Sequence, residues 1–108
     1  MSRGSAPEKH TIILYQLNNV RSRTYFDYPN ISASMDGICQ LFEAKLKQNS
    51  NQKNITYSVN DLYSWVDSLG DITALVYDAD TYQYSPKDKE WVKRRLFEHL
   101  KRQVSASN

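Results

Sequence analysis

His10-Thr11-Ile12-Ile13-Leu14-Tyr15-Gln16-Leu17 is the stretch on which the fold turns. Its β-branched and aromatic residues suit an extended chain. The two-residue period of a strand puts Ile12 and Leu14 on one face and Ile13, Tyr15 and Leu17 on the other. A strand that is apolar on both faces needs cover on both sides, and the rest of the chain can be read for what supplies it.

Downstream, Asn18-Asn19 reads as a turn and Arg23-Thr24-Tyr25-Phe26-Asp27-Tyr28 as a second strand stopped at Pro29, so the first two elements form a hairpin. From Ile31 to Asn49 the apolar positions Ile31, Met35, Ile38, Cys39, Phe42 and Leu46 follow the spacing of an amphipathic helix, with Asn30 or Ser32 as cap. Gly37 costs about 1 kcal/mol inside that helix and suggests that another backbone approaches there. A polar loop, QNSNQKN, follows. Ile55-Thr56-Tyr57 leads to a second helix start, with Ser58 as cap and Asp61 three residues on. Val59, Leu62, Tyr63, Val66 and Leu69 form its inner stripe, and Gly70 ends it as a C′ glycine. Ile72–Tyr77 is again apolar on both faces. Asp78-Ala79-Asp80 turns the chain, Thr81–Ser85 carries Tyr82 and Tyr84 on one face of a short fourth strand, and Pro86 with Asp88 opens a last helix bearing Trp91, Val92, Leu96, Leu100 and Val104.

The order ββααββα predicts an α+β fold: a four-stranded antiparallel sheet with three amphipathic helices on one face. Residues 10–104 make one domain, and residues 1–9 and 105–108 read as disordered tails. If helices cover one face only, the other should be polar, yet Ile12, Leu14 and Tyr25 fall on it beside Gln16 and Arg23. Two readings remain open: a second copy covers the face in a two-fold dimer, or the strands sit one residue out of this register and the residues are internal.

Composition narrows the function. The chain has 108 residues, 40% hydrophobic and 24% charged, with net charge +2 and one cysteine, which is globular rather than disordered composition. Apolar runs, as at Ile12–Leu14, are too short to span a membrane, and the N-terminus has no apolar signal core. A single cysteine cannot close an internal disulfide, which points to a reducing, intracellular setting. No cofactor or metal is expected. His10 and His99 lack clustered ligands, Cys39 lies on an apolar helical stripe where a thiol is inert, Asp78 and Asp80 flank a turn, and there is no glycine-rich phosphate loop. No nucleophile, base and orienting group come together, so the chain reads as a non-enzyme.

The charge is uneven. Lys87–Arg102 holds seven Lys/Arg against Asp88, Glu90 and Glu98, a balance of +4. A nucleic-acid patch at Lys93, Arg94 and Arg95, with Tyr25, Tyr82 and Tyr84 for stacking, is one reading; a solvated helix face that complements the helix dipole is the other. The strand motif of a typical RNA-binding sheet is absent, since Arg23-Thr24-Tyr25-Phe26 has no glycine. Trp65, at the edge of its helical stripe, is read either as core packing or as an anchor for a partner. Thr24-Tyr25-Phe26-Asp27 fits an acidophilic kinase site, where a phosphate would oppose pairing on the adjoining sheet face.

In order and spacing, His10-Thr11-Ile12-Ile13-Leu14, Arg23-Thr24-Tyr25 with Asp27-Tyr28, Met35-Asp36-Gly37-Ile38-Cys39, Ile55-Thr56-Tyr57, Asp61-Leu62-Tyr63, Ala74-Leu75-Val76-Tyr77 and Trp91-Val92-Lys93 resemble the enhancer of rudimentary family. The resemblance runs from His10 to about Gln103. It implies a small nuclear protein, present also in the cytoplasm, without catalysis and homodimeric through its sheets. Such a protein acts as an adaptor for short segments of partners in RNA processing, RNA elimination and transcriptional control, with links to the cell cycle and pyrimidine metabolism. By position, Ile12, Leu14, Gln16, Arg23 and Tyr25 match the family's dimer face, and Thr24 with Asp27 matches a casein-kinase-type site. A second such site, a serine in the family, is Asn30 here. The chain also has a longer segment before His10, and Trp65 where the family usually has Phe.

Overall fold

A computed structural model of the chain describes residues 9–17, 21, 23–48 and 57–107. Within these, seven elements follow in the expected order: β1 (Thr11–Gln16), β2 (Thr24–Tyr28), α1 (Ile31–Gln48), α2 (Val59–Ser68), β3 (Asp71–Asp78), β4 (Gln83–Lys87) and α3 (Lys89–Ser107). The Asn18-Asn19 turn, most of the polar loop, Ile55-Thr56, residues 1–8 and Asn108 lie outside the described residues.

The strands form one antiparallel sheet in the order β2-β1-β3-β4. The doubly apolar strands β1 and β3 are therefore central and the more polar β2 and β4 are edges, which is where unpaired strand sides meet water. On the inner face, Ile13, Ile72, Ala74 and Val76 are buried against Met35, Ile38, Cys39 and Phe42 of α1, Leu62 and Val66 of α2, and Val92 and Leu96 of α3. Local chemistry fixes the helix starts. Asn30 Oδ1 accepts the Ala33 N–H at 2.7 Å, and Ser58 and Asp61 close a reciprocal capping box. No described helix is long and apolar enough to cross a membrane.

Four local expectations need correction. β4 begins at Gln83, not Thr81, because the preceding turn extends through Tyr82, whose φ of 57° is left-handed and cannot continue a strand. Tyr82 and Tyr84 thus do not share a strand face. Pro86 does not open α3 but lies within β4 opposite Leu75, tolerated because β4 is an edge; Asp88 caps the helix instead, accepting the Trp91 N–H at 2.9 Å. Gly70 is not a left-handed C′ residue. Its N–H donates to the Gln16 carbonyl at 2.7 Å, and a Cβ there would come within 3.3 Å of the same oxygen. Gly37 admits the Tyr28 ring rather than a backbone. Helix α3 runs through Ser107, with no glycine or proline to interrupt it.

Candidate functional site

The sheet has a second face, and the strand registers define it. Ile12 pairs with Asp27 on one side and Leu75 on the other; Leu14 pairs with Tyr25 and Thr73. Since cross-strand partners share a face, Ile12, Leu14, Tyr25 and Leu75 lie together, opposite the helices. Tyr77 and its partner Tyr84 extend the patch towards β4, their rings 5.3 Å apart. No residue of this face is buried, and Tyr25 is 68% exposed. The register places these residues on the outside, so the reading in which they were internal does not hold.

Polar groups surround the apolar centre. At one end Arg23 reaches Asp71 at 3.4 Å, and the Gln16 amide donates to the Arg21 carbonyl at 3.3 Å. At the other, His10 stands between two strands, with Nε2 3.2 Å from Asp27 Oδ2 and Nδ1 2.7 Å from Tyr84 Oη. An apolar centre inside a polar rim is the anatomy of a protein interface. The five residues expected here, Ile12, Leu14, Gln16, Arg23 and Tyr25, are brought to this one face. Leu75, Tyr77 and Tyr84 are additions. The alternation in Ile72–Tyr77 already put Thr73, Leu75 and Tyr77 on a common side, but which side required the pairing of β3 with β1.

The other candidates are dispersed. Thr24 is exposed at the start of β2 opposite Tyr15, so its side chain points away from the face that carries Tyr25. Trp65 is half-buried with its ring 5.4 Å from Phe42, which also meets Tyr57 edge-on at 4.9 Å. Lys93 is held by Asp67 at 3.1 Å and lies 5.0 Å over the Tyr63 ring; Arg95 lies 5.3 Å over Trp91 and 3.4 Å from Glu98. Arg94 is exposed on the same helix, beside a groove it shares with Tyr63, Glu90, Lys93 and Phe97, the last 45% exposed. These cations are in the helical layer, whereas Tyr25 and Tyr84 are on the far side of the sheet. The geometry does not combine them into one surface.

Titratable groups in the interior are structural. His99 Nε2 is 2.6 Å from Asp36 Oδ1, buried between α3 and α1. Burial, with Glu43 nearby, pushes the Cys39 thiol up to about 11, away from the thiolate needed for reactivity. Burial likewise raises Tyr57, whose hydroxyl donates to Glu43 Oε2 at 2.7 Å. Among the described residues no three His, Cys, Asp or Glu are grouped to hold a metal ion.

Comparison with known proteins gives consistent matches along most of the chain. A family model described as Enhancer of rudimentary matches residues 7–106. An Enhancer of rudimentary homolog from Arabidopsis thaliana is 49% identical over 96 residues, covering 87% of this chain and 88% of the relative. The homolog from Dictyostelium discoideum is 42% identical over 95 residues, 86% and 95% of the two chains. Protein enhancer of rudimentary from Drosophila virilis is 37% identical over 101 residues, 92% and 97% of the two.

Proposed function

The chain belongs to the enhancer of rudimentary family, and from that premise we propose that it works as a homodimeric, non-enzymatic adaptor in the nucleus, and also in the cytoplasm, binding short segments of proteins that act in RNA processing, RNA elimination and transcription. Through those partners it bears on the cell cycle and pyrimidine metabolism. The observation that carries the reading is the uncovered apolar patch formed by Ile12, Leu14, Tyr25 and Leu75. A patch of this kind, rimmed by polar groups, marks an association surface. The paired registers make it self-complementary in kind, with the same strands available from each copy, as a two-fold contact requires. Two tethered copies then offer each partner-binding groove twice, which raises avidity without a new type of contact.

Two experiments test this. Sedimentation at tens of micromolar gives about twice the chain mass, and Ile12→Arg or Leu14→Arg gives monomer or insoluble protein, because the guanidinium is placed in an apolar contact without a partner. A monomeric wild-type chain removes the dimer from the proposal. Partner binding is tested by capture from nuclear extract followed by mapping of the shortest bound segment. Full-length chain that retains RNA but no protein under these conditions refutes the adaptor role.

A further inference from the structure

Ser85-Pro86-Lys87 is the chain's one Ser/Thr-Pro pair, since Pro7 follows Ala6 and Pro29 follows Tyr28. It lies in β4, which pairs with β3 alone and forms one edge of the sheet. We propose that Ser85 is a phosphorylation site for a proline-directed kinase, and that Lys9, Lys87 and Arg95 receive the phosphate.

The backbone meets the kinase's requirement first. Proline holds the residue before it extended, and Pro86 is exposed next to Ser85. A five-residue edge strand is also the part of a sheet that opens at least cost, so the serine can be presented without unfolding the core. The hydroxyl has no competing role: among the described residues Ser85 makes no hydrogen bond through its side chain.

The surroundings provide the second, independent observation. Ser85 stands opposite Val76 and points to the helical side of the sheet, half-buried. There it lines a cavity of about 160 Å³ together with Lys9, Lys87, Arg95, Asp78 and Trp91. Three cations face one carboxylate, a local balance of +2. Neither Lys9 nor Lys87 has a carboxylate within 4.0 Å among the described residues, while Arg95 is shared with Glu98 at 3.4 Å. A phosphoserine carries about −1.5 to −2 at neutral pH, which matches this excess. In the transfer the γ-phosphoryl group of ATP passes to Ser85 Oγ. The Oγ–P bond forms, the P–O bond to ADP breaks, and the hydroxyl proton leaves through the kinase's base. The product phosphate ties β4 to the first turns of α3 and to Lys9, two residues before β1, using charge-assisted bonds in a partly shielded site. Because Ser85 faces away from Ile12 and Leu14, the effect is separate from the outer sheet face.

The test uses the full chain with a purified proline-directed kinase and ATP. Mass spectrometry locates the phosphate, and thermal unfolding at low salt reads its consequence. The expected result is one phosphate at Ser85, lost in Pro86→Ala, and a midpoint raised by roughly 4 °C or more. That gain falls by at least half in Lys87→Gln and disappears in Lys87→Gln with Arg95→Gln. The proposal is overturned if Ser85 stays unmodified while a peptide of residues 81–91 is phosphorylated alongside it. It is equally overturned if the phosphorylated chain melts no higher than the unmodified one, or if its gain is unaffected by loss of Lys87 and Arg95.

Discussion

Gly37 and Tyr28 form a single structural unit. In α1 the glycine leaves a gap into which the Tyr28 phenol fits, and a Cβ at that position would overlap the ring atoms, with Cζ at 2.5 Å. Alanine would gain about 1 kcal/mol of helix propensity, but overpacking against a half-buried ring costs about 1–3 kcal/mol. Gly37→Ala is therefore expected to lower stability in urea by up to about 2 kcal/mol, and Tyr28→Ala in the same chain should remove most of that additional loss. A stabilised Gly37→Ala would show that the ring moves aside freely. The sequence marked the glycine as a close approach but of a backbone; that a ring fills the gap instead was not legible, because the reach of a ring from β2 is set by the sheet's position over α1. Cys39 makes a second prediction. Burial pushes its thiol in the folded chain up to about 11, above the ordinary 9.0, so the neutral thiol is favoured by folding. This contribution is complete below pH 9 and is lost as the pH rises from 9 towards 11, because the unfolded thiol ionises first. Between pH 9 and 10, with the tyrosines common to both chains, wild-type stability should fall more steeply than that of Cys39→Ala. Equal slopes would remove the thiol as the cause.

At the scale of elements, the helices were legible and the last hairpin was only partly so. Helix α2 illustrates the first case: Ser58 and Asp61 sit at capping-box spacing and the structure closes both bonds. Ser58→Ala should cost about 1 kcal/mol, read from denaturant midpoints, and an unchanged midpoint would mean that packing alone starts the helix. In the β3–β4 hairpin two signals were ambiguous. Proline suits either an edge strand or a helix's first turn, and pairing with Leu75 selects the strand. Tyr82 favours extended chain by type, yet the turn requires positive φ. Left-handed backbone costs a non-glycine residue about 1–2 kcal/mol, and at 81% exposure its ring has little packing to lose. Tyr82→Gly relieves that strain and adds unfolded-state entropy of about 0.5–1 kcal/mol. The variant should be as stable as wild type or up to about 1.5 kcal/mol more so; a clear loss would assign the exposed ring a packing role.

On the scale of the whole molecule, a helical layer on one side of the sheet and nothing described on the other leave Ile12, Leu14 and Leu75 half-exposed. Half of this face could be read from β1 and β2 alone, through the period of two. The β3 and β4 half could not, because Ile72–Tyr77 is apolar on both sides and only its register with β1 assigns Leu75 outward and Ala74 inward. Leu75 is therefore the sharpest probe of the assembly. If folding and association are coupled, the thermal midpoint depends on protein concentration by mass action. A tenfold rise in concentration corresponds to about 1.4 kcal/mol per dimer, and for two chains of 108 residues this moves the midpoint by about 3–5 °C. Wild type and Arg94→Glu, altered only on the helical layer, should both show that shift. Leu75→Arg should lose it while a lower midpoint, or outright insolubility, reports the buried charge. A wild-type midpoint that does not change over two decades of concentration would mean that a single copy tolerates the open face, and the dimer would have to be abandoned.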